Sequence, residues 1–154
     1  MCVKKIPRHT QGVSVFPVGL VGKFGLSSPV VKAVVGEEKQ VVDGWYDYWD
    51  HGRKFMLDMA GFAVSVALYR NRSRGSPILM PARRGREEDD FLKMMGVEVT
   101  ELEVISPEEV LVWHTKTADS PMPRDPGTKY KDTNVALLWK QVWNWRHTLG
   151  FSKQ

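Results

Sequence analysis

A single cysteine, Cys2, stands in the 154 residues, which excludes an intrachain disulfide and any cysteine-based metal site. Long apolar runs are missing as well. A bilayer span needs about 20 consecutive apolar residues, and the richest stretches are interrupted, one by Pro17 and Gly19, the other by Asp58 and Gly61. The opening Met-Cys-Val-Lys-Lys-Ile-Pro carries no apolar core of the signal-peptide kind, so the chain reads as soluble. No charge of one sign accumulates either. Arg70, Arg72, Arg74, Arg83, Arg84 and Arg86 crowd together, but Glu87, Glu88, Asp89 and Asp90 follow at once. A net charge of +4 distributed in this way speaks for a solvated loop and against a nucleic-acid partner. There is no internal repeat, no Gly-rich phosphate loop, no pair of metal-spaced histidines and no serine elbow.

What is present belongs to an ordinary globular domain. The chain is 42% hydrophobic and 26% charged, and its length suits one domain with a real core. "GVSVFPVGLVG" (12–22) is β-branched and aromatic with glycine and proline as punctuation, and predicts a buried strand running into a turn. "KQVVDGWYDYWD" (39–50) predicts a short strand entering an aromatic loop, and 61–65 a strand turning into a short helix that frays by Arg74. Charges and glycine or proline breaks make 74–86 a loop. "EEDDFLKMMG" has acids in its first turn, Phe91, Met94 and Met95 at helical spacing and Gly96 as a C-cap, so it predicts a short helix. A strand is expected over 108–117. After a proline-rich linker, 134–150 predicts a helix with Leu137, Leu138, Gln141, Val142 and Trp145 on one side. Strands and helices alternating at this spacing indicate an α/β layer structure. The chain opens almost directly on a buried-looking strand, as the second half of a longer domain would.

Few residues could carry chemistry, and each has two readings. Asp58, next to Met59-Ala60-Gly61, is either a strand-edge or cap acid or a carboxylate held at a strand end for a ligand. Sugar hydroxyls suit such a group, since an ionised carboxylate accepts hydrogen bonds on both oxygens. Trp45, Tyr46, Tyr48 and Trp49 precede it together with Arg53, either as core aromatics or as a carbohydrate platform. The acids 87–90 read as the solvated first turn of a helix. His114, at the end of an apolar strand, is a structural histidine or, if it faces a cleft, a donor to phosphate or hydroxyl. Asn71-Arg72-Ser73 is an N-glycosylation sequon.

Three blocks, "GVSVFPVGLVG", "DMAGFAV" and "VLVWHTKT", stand in this order and closely resemble the animal β-1,3-glucuronosyltransferases that build the glycosaminoglycan linkage tetrasaccharide and related epitopes. The likeness runs from about Thr10 to Thr117. It implies a partial GT-A glycosyltransferase fold, the C-terminal acceptor-binding half, with a mixed sheet and flanking helices. Residues 1–117 would form the acceptor-binding part, and 118–154 a linker and C-terminal helical tail. The implied reaction is inverting transfer of glucuronate from UDP-glucuronate to the 3-hydroxyl of a terminal galactose, on a proteoglycan or glycoprotein glycan. Without the nucleotide half, the chain alone is expected to be incomplete and inactive; the alternative is a non-catalytic carbohydrate-binding or structural fragment lacking that half.

The resemblance also implies roles. Arg53, five residues before Asp58, binds the acceptor galactose with it, and Trp49 stacks on the sugar. Glu88, followed by Asp89, Asp90, Phe91 and Leu92, is the catalytic base, and His114 and Lys116 in "WHTK" contact UDP. The family's Mn²⁺ belongs to an Asp-rich motif, and no Asp-x-Asp tripeptide stands before Gly12. A Golgi-membrane enzyme facing the lumen is implied, with an anchor upstream of Met1, and a homodimer is compatible with it. Three features depart from the family pattern. Ser27 stands where members often carry an acceptor-contacting glutamate, which leaves acceptor choice open. Arg84-Gly85-Arg86 replaces the usual Gly-Gly-aromatic lead to the base, and the cysteine usual before "VLVWHT" is absent.

Overall fold

A computed structural model of the chain describes residues 10–33, 36, 40–49, 52–80, 84–114 and 123–148. Seven strands and three helices make up its regular structure: β1 Val13–Val15, β2 Val18–Gly19, β3 Leu26–Ala33, β4 Gln40–Tyr46, β5 Phe62–Val64, α1 Val66–Ser73, α2 Glu87–Met94, β6 Leu102–Val104, β7 Val112–Trp113 and α3 Asn134–Thr148. The strands form two sheets, ordered β5-β1-β6 and β4-β3-β2-β7. Each is mixed: β1 runs antiparallel to β5 and parallel to β6, and β2 antiparallel to β3 and parallel to β7. With helices flanking the sheets, the α/β class expected from the sequence is observed.

The stretch expected as one strand over 12–22 is two. Pro17 has no N–H for a ladder, so the chain leaves one sheet after β1 and enters the other at β2. Phe16 at the junction donates instead to the Gly61 carbonyl at 3.0 Å. The two pieces seed two cores. One gathers Val13, Val15, Phe55, Leu57, Leu92, Met95, Val97 and Leu102. The other gathers Leu20, Leu26, Tyr46, Val110, Val135, Leu138 and Val142.

Gly19 is required where these parts meet. A Cβ built there would lie 2.6 Å from Cε3 of Trp113 and 3.0 Å from Cγ1 of Val110. Only glycine lets β2 pass so close to the indole, which is itself stacked on Trp145 with centroids 4.7 Å apart. Asn134 opens α3 by donating to the carbonyls of Pro29 at 3.0 Å and Pro107 at 2.9 Å.

Several expectations need correction. The strand expected over 108–117 is confined to β7: Glu109 closes a turn onto the Ser106 carbonyl at 3.1 Å, and 115–117 lie outside the described residues. On α2 the buried residues are Asp89 and Leu92, with Met95 just past its end, whereas Met94 is 58% exposed. On α3 Leu137 is exposed, and Val135, Leu138, Val142 and Arg146 are buried. The sequon residue Asn71 sits in helix α1, which ends before Arg74 as expected. Residues 74–80 and 84–86 carry no helix or strand, as expected. Among the described residues, no helix is long and apolar enough to cross a membrane.

Candidate functional site

The local structure around Asp58 follows from its own side chain. Asp58 has extended backbone (φ −78, ψ 151), and its carboxylate accepts the Ala60 N–H, which caps the short 3-10 turn Met59–Gly61 that leads into β5. The cap uses Oδ1, at 2.9 Å. Oδ2 points the other way and lies 3.7 Å from Nδ1 of His114. The cap reading of this acid is therefore observed, and its second oxygen is left facing His114.

His114 is delivered to that spot by β7. Its N–H donates to the Gly19 carbonyl at 2.9 Å, which extends the parallel pairing of β2 with β7 by one residue. Around Asp58 and His114 a cleft of about 330 Å³ opens, and Asp47, Trp49, Arg53, Glu88, Val21 and Leu57 contribute to its lining. Five of the six site residues picked from the sequence thus converge, although they come from segments up to 65 positions apart (114 − 49). Lys116 lies outside the described residues.

Asp89, the residue after Glu88, fixes where that glutamate sits. Its side chain is fully buried. Oδ1 accepts the N–H of Lys54 at 2.8 Å and of Phe55 at 2.9 Å, while Oδ2 accepts from Lys93 at 2.6 Å and from Arg86 at 3.1 Å. One carboxylate thereby fastens the first turn of α2 to the segment that runs from Arg53 to Asp58. Burial alone would raise its carboxyl, but Lys93 and the two amides outweigh that and hold it below the ordinary range. The run 87–90, expected to be the solvated first turn of a helix, is therefore not uniformly solvated, because its third member is an internal tie. Arg53 adds a second tie through Nη2 to the Gly85 carbonyl, while its Nε–H is buried and finds no hydrogen-bond acceptor among the described residues.

Electrostatics set the remaining characters. Burial raises the Glu88 carboxyl, against the pull of its own amide and of Arg53. That direction moves a carboxylate towards the basicity a proton acceptor needs near neutral pH. Asp47 is also raised by burial, with the Ser27 hydroxyl, the Trp49 amide and Arg53 pulling the other way. The aromatic loop divides: Tyr46 is core, whereas Trp49 is 47% exposed and edge-on to Tyr48, with centroids 5.4 Å apart. Sequence reasoning missed Asp47 and Asp89. Asp47 sat unmarked inside the aromatic loop, and Asp89 among three other acids, where nothing in the spacing shows which one turns inward.

A sequence profile of glycosyltransferase family 43 matches residues 5–118. The chain belongs to glycosyltransferase family 43. It is 41% identical over 132 residues to galactosylgalactosylxylosylprotein 3-beta-glucuronosyltransferase P of Drosophila melanogaster, covering 83% of this chain and 26% of that protein. With enzyme S of the same fly it shares 40% over 112 residues, 71% of this chain and 25% of that protein. With enzyme 2 of Mus musculus it shares 35% over 135 residues, 84% of this chain and 39% of that protein. The chain thus spans between a quarter and two fifths of the length of these relatives. Among the described residues, no group of three or more His, Cys, Asp or Glu could hold a metal ion.

Proposed function

We propose that this cleft is the acceptor site of a β-1,3-glucuronosyltransferase, which moves glucuronate from UDP-glucuronate to the 3-hydroxyl of a terminal galactose with inversion, as in glycosaminoglycan linkage-region synthesis. The observation that carries the reading is the 3.7 Å approach of His114 to Asp58. A group read as facing UDP and a group read as facing galactose share one cleft with the candidate base.

In this reading Asp58 accepts galactose hydroxyls through Oδ2, Arg53 donates to the same sugar, and Trp49 packs against its apolar face. Glu88 takes the proton from the 3-hydroxyl as that oxygen bonds to C1 of glucuronate. The bond from C1 to the UDP oxygen breaks on the opposite face, and its electron pair leaves with UDP. His114, and Lys116 by its motif alone, offset part of the charge that gathers on the departing diphosphate. Mn²⁺ would belong to the Asp-rich motif of the full-length enzyme; among the described residues no group of three or more His, Cys, Asp or Glu could hold it. A Golgi-lumen setting and a homodimer belong to the same proposal.

The test is transfer of glucuronate from UDP-glucuronate to a β-galactosyl disaccharide by the natural protein, followed by mass spectrometry. Glu88→Gln is expected to lower turnover by about 10² or more and to change acceptor affinity by about twofold at most, since it keeps shape and removes the base. Unchanged turnover would overturn the assignment of Glu88. Binding of the disaccharide with no transfer by the full-length protein under any condition would make the chain a carbohydrate-binding unit instead.

A further inference from the structure

The cleft contains a carboxylate to which neither the motifs nor the family match gives a task. Asp47 directly follows β4 and lines the cleft beside Trp49 and Arg53. It is only 8% exposed, a degree of burial that ionisable side chains rarely tolerate without a partner of opposite charge. Yet none of the ion pairs among the described residues includes it. Arg53, the cation sharing the cleft, sends its Nη2 to the Gly85 carbonyl. Its hydrogen-bond donors are neutral, the Trp49 N–H at 2.7 Å to Oδ1 and the hydroxyl of Ser27, itself 2% exposed, and the charge of Arg53 acts on it without an ion pair.

An ionised carboxylate offers about four lone-pair sites. Two protein donors leave acceptor capacity in a wall that also carries Asp58 and Glu88. Three acids against Arg53 and, when protonated, His114 make a cleft suited to a ligand that donates hydrogen bonds and bears no negative charge. We propose that Asp47 is a specificity-determining residue of the acceptor cleft, accepting a hydrogen bond from a hydroxyl of a neutral sugar and disfavouring sugars that carry sulfate or phosphate. The proposal rests on the acceptor reading given above. It makes Asp47 a direct contact, since the residue lies in the cleft wall itself.

Asn at this position keeps an oxygen for the Trp49 N–H, while it removes the charge and turns the second acceptor oxygen into an NH₂ donor. The experiment is calorimetric titration of the chain, Asp47→Asn, Asp47→Glu and Asp58→Asn with β-1,3-galactobiose and with its 6-O-sulfated form. The unaltered chain should bind the neutral sugar at least about tenfold tighter than the sulfated one, as expected for a lost charge-assisted bond plus like-charge repulsion. Asp47→Asn should weaken the neutral sugar by about tenfold and bring the two affinities together, while Asp47→Glu, which keeps the charge, should retain the preference. If Asp58→Asn weakens the neutral sugar but Asp47→Asn leaves both affinities unchanged, Asp47 has no recognition role and the proposal falls alone. Loss of the preference in Asp47→Glu would also sink it. If the unaltered chain binds neither sugar, the acceptor reading falls first and takes this inference with it.

Discussion

Asp89 gives the most demanding test of how the site is assembled, because one buried side chain closes both the packing and the geometry. Replacement by Ala leaves the N–H groups of Lys54 and Phe55 without their acceptor, and Phe55 is fully buried, so water cannot substitute at that amide. Each orphaned donor costs about 1–3 kcal/mol, and the charges of Lys93 and Arg86 lose their shared partner, although both reach solvent and recover part of that loss. A total of about 4 kcal/mol follows, inside the range for breaking a buried ion pair on one side. For a chain of this length each kcal/mol moves the melting point by about 2–4 °C, so Asp89→Ala should melt about 8–16 °C lower. Asp89→Asn should fall in between, since its amide oxygen still accepts from the backbone while its NH₂ faces two cations.

The pH dependence separates this from generic damage. A carboxyl whose folded value lies below its unfolded one contributes stability that is present above the unfolded carboxylate range and lost as pH falls through the folded value. The difference in melting point between the natural chain and Asp89→Asn should therefore be full at pH 7 and shrink below about pH 4. Calorimetric melts of both proteins at several pH values check it. A difference that is constant with pH, or an Ala variant within about 0.5 kcal/mol of the natural chain, would refute the account of Asp89 as the tie between α2 and the Arg53 segment.

Two further outcomes follow from single contacts. Asp58→Asn should keep the cap on Ala60 and hence the melting point, while weakening acceptor binding by about 10- to 100-fold through loss of one charge-assisted bond; Asp58→Ala should lose both, and titration alongside melting tells the two apart. Gly19→Ala drives a Cβ to 2.6 Å from Trp113, which Trp145 blocks from behind, so a loss of about 1–3 kcal/mol is expected and a melt unchanged to within error would show that the ring yields.

The elements legible in the sequence were those with a local signal. α2 declared itself by acids at its start and Gly96 beyond its end, and β1 with β2 by β-branched residues around Pro17. β3 had no such signal. "LSSPVVKA" opens with two serines, both 2% exposed, whose burial makes sense only when Asn134, more than 100 residues later, donates to Ser28 and the Pro29 carbonyl, and when Asp47 receives Ser27. β6, three residues long, gains its place from pairing with β1, and the outward-looking Glu103 on it is held by Ser14 and the Gln11 amide. Helix faces failed for a related reason: a 3.6-residue period marks a stripe about 100° wide, and whether Leu137 or Val135 lies inside it is decided by which sheet the helix meets.

The site residues show the same division between local and distant causes. Trp49, Arg53, Asp58, Glu88 and His114 could be picked because each stands inside a motif, yet no motif states that their side chains meet. Three contacts make them meet: the Gly19 carbonyl sets His114, the Gly85 carbonyl sets Arg53, and the Asp89 carboxylate sets the helix that bears Glu88. Two of these acceptors are backbone atoms, which no substitution pattern can reveal, and the third hides in a run of like residues. Asp58 shows why a structural and a functional reading of one acid need not compete. With Oδ1 spent on its own turn, the carboxylate cannot rotate, and Oδ2 is held towards His114 before any ligand arrives. A cap that fixes the orientation of a binding group lowers the ordering cost of binding, so on the proposed acceptor reading the stability of the turn and the recognition of a sugar would draw on the same hydrogen bond.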